Sequence, residues 1–272
     1  MSAPRGRVLI IAGSDSGGGA GIQADVKTVT ALGGFAATAI TAVTVQNTLG
    51  VSGVHPIPLG VVEAQATAVL DDIGADAIKT GMLATAETVR LAARLIGHAG
   101  VPAVVDPVMV AKGGASLLAE DAVEAVRSVL APRAALLTPN APEAEALTGV
   151  EVASLDGQRR AGEALLKLGC QAVLMKGGHV AGDVVVDLLL TPDGETLFEA
   201  RRIDTRHTHG TGCTLASACA VGLAQGLTLI EAVARARDYT LEAIRRAPGL
   251  GGGHGPLDHA WTLRDALERR DR

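Results

Sequence analysis

The chain has 272 residues, 48% hydrophobic and only 1% aromatic, and its 24 Lys and Arg against 29 Asp and Glu leave a formal charge of −5. That aliphatic content supports a large core of Ala, Val, Leu and Ile. With few aromatic rings and no basic block, the chain is not expected to bind nucleic acid or an anionic membrane.

In chain order, 7–13 is a β-branched run stopped by glycine, which predicts a buried strand. A helix follows over 21–32, a second buried strand over 35–47 and a helix over 59–73. Strands at 76–81, 101–108, 134–140 and 171–178 then alternate with helices at 85–100, 117–131, 141–149 and 155–169. Residues 183–203 form two runs joined by Thr-Pro-Asp-Gly, a hairpin pattern. Two helices reach about Ala247, a glycine-rich loop follows, and a terminal helix closes the chain. This rhythm predicts an α/β fold, a mostly parallel sheet with helices on both faces. Without a repeat, charge block or linker, 1–272 reads as a single domain.

Ligands of parallel sheets gather beyond the carboxyl ends of the strands. The polar residues expected along that rim are Asp15, Gln46, Asn47, Lys79, Asp106, Asn140 and Lys176. Three cysteines, Cys170, Cys213 and Cys219, show no disulfide or metal pairing and fit a reducing cytoplasm. Cys170 and Cys219 read as core. The apolar run ending at Gly13 is too short for a secretory signal, and no later run reaches membrane-spanning length.

Two nucleotide motifs fail. Gly-Ala-Gly-Ile-Gln-Ala at 19–24 matches a loose dinucleotide pattern, but no acid stands between Asp25 and Glu63 to hold a ribose. No Gly-Lys-Ser/Thr occurs either. His207, His209 and Cys213 lack a fourth zinc ligand nearby, which favours loop histidines beside a turn.

The stretch Thr-His-Gly-Thr-Gly-Cys (208–213) opens a helix through a glycine turn. Unpaired N–H groups and the helix dipole make such a turn an anion hole for a phosphate. Local rules also lower the Cys213 thiol from about 8.5, toward thiolate near neutrality; the competing role is a small apolar filler. Lys176, followed by two glycines, ends a strand beside that hole. Asp106, at another strand end, and Glu143, in a first helical turn after Asn140, are oxygen ligands suited to Mg²⁺. Asn140 and Glu143 equally suit a helix cap.

The stretches IAGSDSGGGAGIQADVKT, VTVQNTLGV, IKTGML, VVDPVM, LTPNAPEAEAL, VLMKGGH, THGTGCTLASA and GHGPLDH fall between residues 11 and 259, nearly the whole chain. Together they resemble the hydroxymethylpyrimidine/phosphomethylpyrimidine kinases of thiamine synthesis, in the ribokinase-like superfamily. The resemblance implies a three-layer α/β/α fold with a small edge lid, supplied by 51–58. It implies ATP and Mg²⁺ as cofactors and phosphorylation of 4-amino-5-hydroxymethyl-2-methylpyrimidine and then of its monophosphate. Gln46 would grip the pyrimidine, Asp25 its amine or hydroxymethyl, and Gly13, Met82 and Val108 would line the pocket. Lys176, Asn140, Thr208, Gly210 and Gly212 would contact the nucleotide. Gly210, Thr211, Gly212, Cys213 and Lys176 form the expected catalytic group, with Cys213 as base or positioner, and Asp106 and Glu143 as metal ligands. The expected partners are these small molecules and a second copy of the chain, as a homodimer. The rival functions are a pyridoxal kinase on the same fold and a pyrimidine-binding regulator without catalysis.

Overall fold

The structure is a computed structural model and describes residues 6–109 and 120–270. Its strands are β1 (Arg7–Asp15), β2 (Phe35–Asn47), β3 (Gly50–Pro56), β4 (Ala77–Thr80), β5 (Ala103–Val105), β6 (Leu136–Leu137), β7 (Val173–Met175), β8 (Val184–Thr191) and β9 (Gly194–Arg201). The helices are α1 (Gly21–Ala31), α2 (Leu59–Asp72), α3 (Ala86–Ala99), α4 (Glu120–Ala125), α5 (Ala141–Thr148), α6 (Leu155–Leu166), α7 (Thr211–Ala224), α8 (Leu229–Arg245) and α9 (Trp261–Arg270). The strands form one sheet in the order β3-β2-β1-β4-β5-β6-β7-β8-β9. The six from β2 to β7 run parallel, and β3, β8 and β9 are antiparallel to their neighbours.

Successive side chains of a strand point to opposite faces. Leu9 and Ile11 of β1 enter one core, whereas Val8, Ile10 and Ala12 enter the other. Val105 and Val104 of β5 divide the same way, as do Met175 and Leu174 of β7. Both faces are therefore apolar, so these runs show no polar alternation. Val62 of α2, Val89 and Leu91 of α3, Leu147 of α5 and Leu165 of α6 pack on the first face. Val29 of α1, Ala216 of α7, and Val233 and Tyr239 of α8 pack on the second. The result is the three-layer α/β/α arrangement. Cys170 and Cys219 are both buried core residues.

Strands β5, β6 and β7 are shorter than the apolar runs that contain them. The chain leaves the ladder early because its next polar groups turn across the rim. Asp106, Asn140 and Lys176 follow the ladder ends and stay tied to it by single bonds, such as Lys176 N–H to the Pro139 carbonyl at 2.9 Å. The segment expected as an edge lid is largely a strand, since β3 pairs with the outer half of β2 from Ala42 to Asn47. In the helix expected over 117–131, α4 gives way to a wide turn at Val126–Leu130. Residues 117–119 of that helix lie outside the described residues. No described helix is long and apolar enough to cross a membrane.

Candidate active site

From β1 the chain first adds β2 on one side and later β4 on the other, so the strand order reverses around β1. A crevice opens beyond the carboxyl end of the strands at such a reversal. Here it is a cleft of about 1660 Å³. Gly13, Gln46, Met82 and Val108 line it, as do Asp106, Asn140, Glu143, Lys176 and the turn from Thr208 to Cys213. Sequence reasoning named all of these.

Asp25 is the exception and requires a correction. It is 0% exposed, and both carboxylate oxygens are bonded to Lys79 Nζ, at 2.9 and 2.8 Å. Ser217 Oγ donates to it as well, at 2.7 Å. Asp25 therefore lies beneath the cleft lining, tied to β4 and α7, with no oxygen surface left for a substrate. Lys79 is equally sealed, although it was expected on the rim.

The glycine turn sits directly on the charged floor. Gly210 caps α7 at φ 86°, and a side chain there would collide with the Gly19 carbonyl. A Cβ at Gly212 would lie 3.3 Å from Lys176 Nζ and 3.5 Å from Asp106 Oδ2. The N-cap, Gly210, has no side chain to cap α7, and Thr211 N–H reaches the Thr208 carbonyl at a long 3.4 Å. Its positive end is thus available to an anion in the cleft.

Lys176 Nζ is 2.8 Å from Asp106 Oδ1 and 3.6 Å from Glu143 Oε2. Thr138 Oγ1 also donates to Asp106, at 3.2 Å. Asn140 and Glu143 form a reciprocal cap on α5: Asn140 accepts from Glu143 N–H at 2.9 Å, and Glu143 accepts from Asn140 N–H at 2.8 Å. The capping role and a place at the cleft coexist. Burial pushes the Glu143 carboxyl up to about 7, with Lys176 opposing and Asp106 adding to the rise. Burial would depress the Lys176 ammonium, but Asp106 and Glu143 outweigh it and hold the charge.

Cys213 overturns the expectation of a lowered thiol. Cys213 is half-buried in the cleft lining, and desolvation pushes its thiol up to about 11. Lys79 opposes that rise, whereas Asp25 and Asp106 reinforce it. The local helix-end effect is smaller than the burial around it. Near neutral pH the group is a thiol.

Two further pairs were not anticipated. On the cleft wall, Asp187 accepts from Gly177 N–H and from Arg237 Nε, each at 2.7 Å, and the Arg237 guanidinium lies 5.4 Å from the Phe198 ring centre. This pair braces the loop just after Lys176. Near Gln46, His209 Nε2 lies 2.9 Å from Asp15 Oδ2. A charge inside an otherwise apolar or amphipathic segment was the only signal for Lys79 and Arg237.

A sheet cleft with an anion-binding glycine turn over a lysine–carboxylate floor suits phosphoryl transfer. Residues 15–258 match the phosphomethylpyrimidine kinase family, and the chain belongs to it. The hydroxymethylpyrimidine/phosphomethylpyrimidine kinase of Streptomyces coelicolor is 53% identical over 94% of this chain and 95% of its own. The thiamine biosynthesis bifunctional protein ThiED of Geobacter sulfurreducens is 51% identical over 98% of the chain, which spans only 54% of that longer protein. Among solved structures, the ADP complex of Bacillus subtilis pyridoxal kinase superposes with a TM-score of 0.89 at 38% identity, covering 96% of this chain and 99% of the other. The fold is thus the ribokinase-like one.

Proposed function

We propose that this chain transfers the γ-phosphoryl group of ATP to the hydroxymethyl oxygen of 4-amino-5-hydroxymethyl-2-methylpyrimidine, and then phosphorylates the monophosphate to the diphosphate, in thiamine synthesis. The observation that carries this is the meeting of Gln46 and Cys213 in one cleft, with His209 in contact with Gln46. An amide offers a donor and an acceptor together, which matches the ring nitrogen and exocyclic amine of an aminopyrimidine. Gly13, Met82 and Val108 supply the apolar walls.

In the transfer, the hydroxymethyl oxygen forms the new bond to phosphorus as the bond to the ADP oxygen breaks. N–H groups from Gly210 to Cys213 receive the phosphoryl oxygens, each well-placed donor contributing about 3 kcal/mol. Lys176 balances phosphate charge, and Asn140 and Thr208 border the nucleotide. A thiol held near 11 is a poor base at neutral pH. Cys213 therefore positions the alcohol, whose proton leaves on a transferring phosphate oxygen.

Among the described residues no three His, Cys, Asp or Glu side chains gather into a metal cluster. Two carboxylates beside a phosphate site do fit Mg²⁺, an ion that keeps several waters and takes the rest of its shell from phosphate. Asp106 and Glu143 would hold it, and it would neutralise charge on the β- and γ-phosphates. We also assign the chain a single domain, a cytoplasmic setting suited to its free cysteines, and a homodimer. Val43, Val45 and Val54, exposed on the β2–β3 ribbon, support the dimer.

A coupled ADP-release assay on the aminopyrimidine alcohol, its monophosphate and pyridoxal tests this function. Turnover of both pyrimidines in preference to pyridoxal is expected. Preference for pyridoxal would make the chain a pyridoxal kinase, and binding without ADP release would make it a regulator.

A further inference from the structure

Gln46 stands among neighbours that dictate which way its amide faces. Its backbone is fixed first: Gln46 N–H donates to Ser16 Oγ at 2.9 Å, and Ser16 Oγ donates to the Gln46 carbonyl at 2.8 Å. Its side-chain amide then spans two groups: Gln46 Oε1 is drawn 3.2 Å from Thr44 Oγ1, and Gln46 Nε2 3.2 Å from His209 Nε2. Amide oxygen and nitrogen exchange places by a half-turn about the last side-chain bond. The protons of the neighbours decide which faces which.

His209 comes first. Its Nε2 is 2.9 Å from Asp15 Oδ2. That oxygen already accepts from Gly19 N–H at 3.0 Å and Ala20 N–H at 2.8 Å, and Asp15 Oδ1 accepts from Gly17 N–H at 2.7 Å. Burial pushes the Asp15 carboxyl up, but His209 and the Ala20 and Gly17 amides outweigh it and hold it below its ordinary value. Asp15 is an acceptor, so His209 Nε2 carries the proton. A nitrogen that carries a proton cannot accept from an amide NH₂; its one N–H, donated to Asp15 and shared at longer range with Gln46, calls for the amide oxygen on that side.

Thr44 leads to the same answer. Its hydroxyl has one proton, and the Ser14 carbonyl, 2.9 Å away, takes it. Toward Gln46 the hydroxyl shows a lone pair, which calls for a donor. Both neighbours therefore select the amide turned over by that half-turn, its carbonyl toward His209 and its NH₂ toward Thr44, in which each amide heteroatom is half satisfied. One N–H on the Thr44 side and one lone pair on the His209 side are left for the cleft.

We propose that His209 and Thr44 are positioning residues that set the Gln46 carbonyl toward His209 and its NH₂ toward Thr44, and so fix the polarity with which a pyrimidine edge can dock. This rests on the aminopyrimidine function proposed above. A ring nitrogen then accepts on the Thr44 side, and the exocyclic amine donates on the His209 side. In the aminopyrimidine alcohol the amine-bearing carbon adjoins the carbon bearing the hydroxymethyl group. His209 immediately precedes Gly210. Docking the amine at His209 thus turns the hydroxymethyl toward the glycine turn and Cys213. The reversed amide would turn it away.

Steady-state kinetics of the full chain test the relay, using the aminopyrimidine alcohol and its analogue lacking the amine. His209→Met should raise KM for the amino alcohol about ten-fold, the effect of about one lost hydrogen bond, with little change in KM for ATP. The same substitution should add almost nothing for the amine-free analogue, since the carbonyl it orients then has no partner. His209→Gln, which restores an N–H donor near Nε2, should recover much of the loss. Thr44→Val should raise KM for the amino alcohol independently. Equal penalties for the two alcohols, a parallel rise in KM for ATP, or no recovery with His209→Gln would make His209 merely a support of the turn and overturn the proposal. Should His209→Met fail to fold, an unchanged KM in Thr44→Val would overturn it equally. If the unaltered chain releases no ADP with the amino alcohol, the function itself fails; turnover with equal penalties defeats only the relay.

Discussion

Lys79 and Lys176 occupy comparable places, one inside β4 and one just past β7, yet they do opposite work. The Lys79 side chain and its partner Asp25 are both 0% exposed, and the lysine holds both oxygens of that carboxylate. Lys176 is 13% exposed and is shared between Asp106 and the more distant Glu143, with Gly212 packed against it. A charge pair closed on every side holds secondary-structure elements together. A pair left open on one side keeps field for a ligand. Burial would depress the Lys79 ammonium, but the carboxylates of Asp25 and Asp106 oppose it and hold the charge, so α1, β4 and α7 stay joined under the cleft.

Breaking the closed pair should give the largest effect. Lys79→Met leaves Asp25 buried without a counter-charge and should lower stability by about 3–5 kcal/mol in urea unfolding. Adding Asp25→Leu should restore much of it, because the uncompensated charge is then gone. Lys176→Met should instead fold normally and lose about 10²–10³-fold in kcat, comparable to removing an oxyanion donor. Melting curves and ADP release on the same samples check both. If the two lysines exchange these effects, the contrast fails.

Glu143 sharpens the contrast from the open side. Its carboxyl rises from 4.5 to about 7 in the folded chain. It therefore gains its charge only as pH rises through about 7, and kcat/KM for ATP should rise with it. Glu143→Gln should remove that limb. The sign for stability is opposite. Between 4.5 and 7 the folded chain keeps a proton that the unfolded chain has lost, so this group's contribution to stability falls as pH rises across that window. Unfolding of the unaltered chain against Glu143→Gln across this range should show the difference.

Much of this was legible in the sequence. The alternation of apolar runs with helices marked the layered sheet. The Gly-Thr-Gly-Cys turn, Lys176, Asp106 and Gln46 announced themselves by residue type at strand and helix ends. What was hidden depends on distant partners. Lys79 looked like a rim lysine because Asp25 and Ser217, which seal it, lie 54 and more than 100 positions away. Asp25 looked available for the same reason. Cys213 followed a local rule that burial overrides, and burial is a property of the assembled cleft. The strand at 50–56 was missed because glycine and proline break its alternation, and pairing with β2 supplies what local propensity lacks.

The most direct test of the pyrimidine site is the KM of Gln46→Ala for the aminopyrimidine alcohol. A rise of about ten-fold or more with KM for ATP unchanged is the expected result, since the proposed site makes the amide the ring's polar contact. An unchanged KM for the alcohol would remove Gln46 from the site and contradict the assignment of this cleft to an aminopyrimidine.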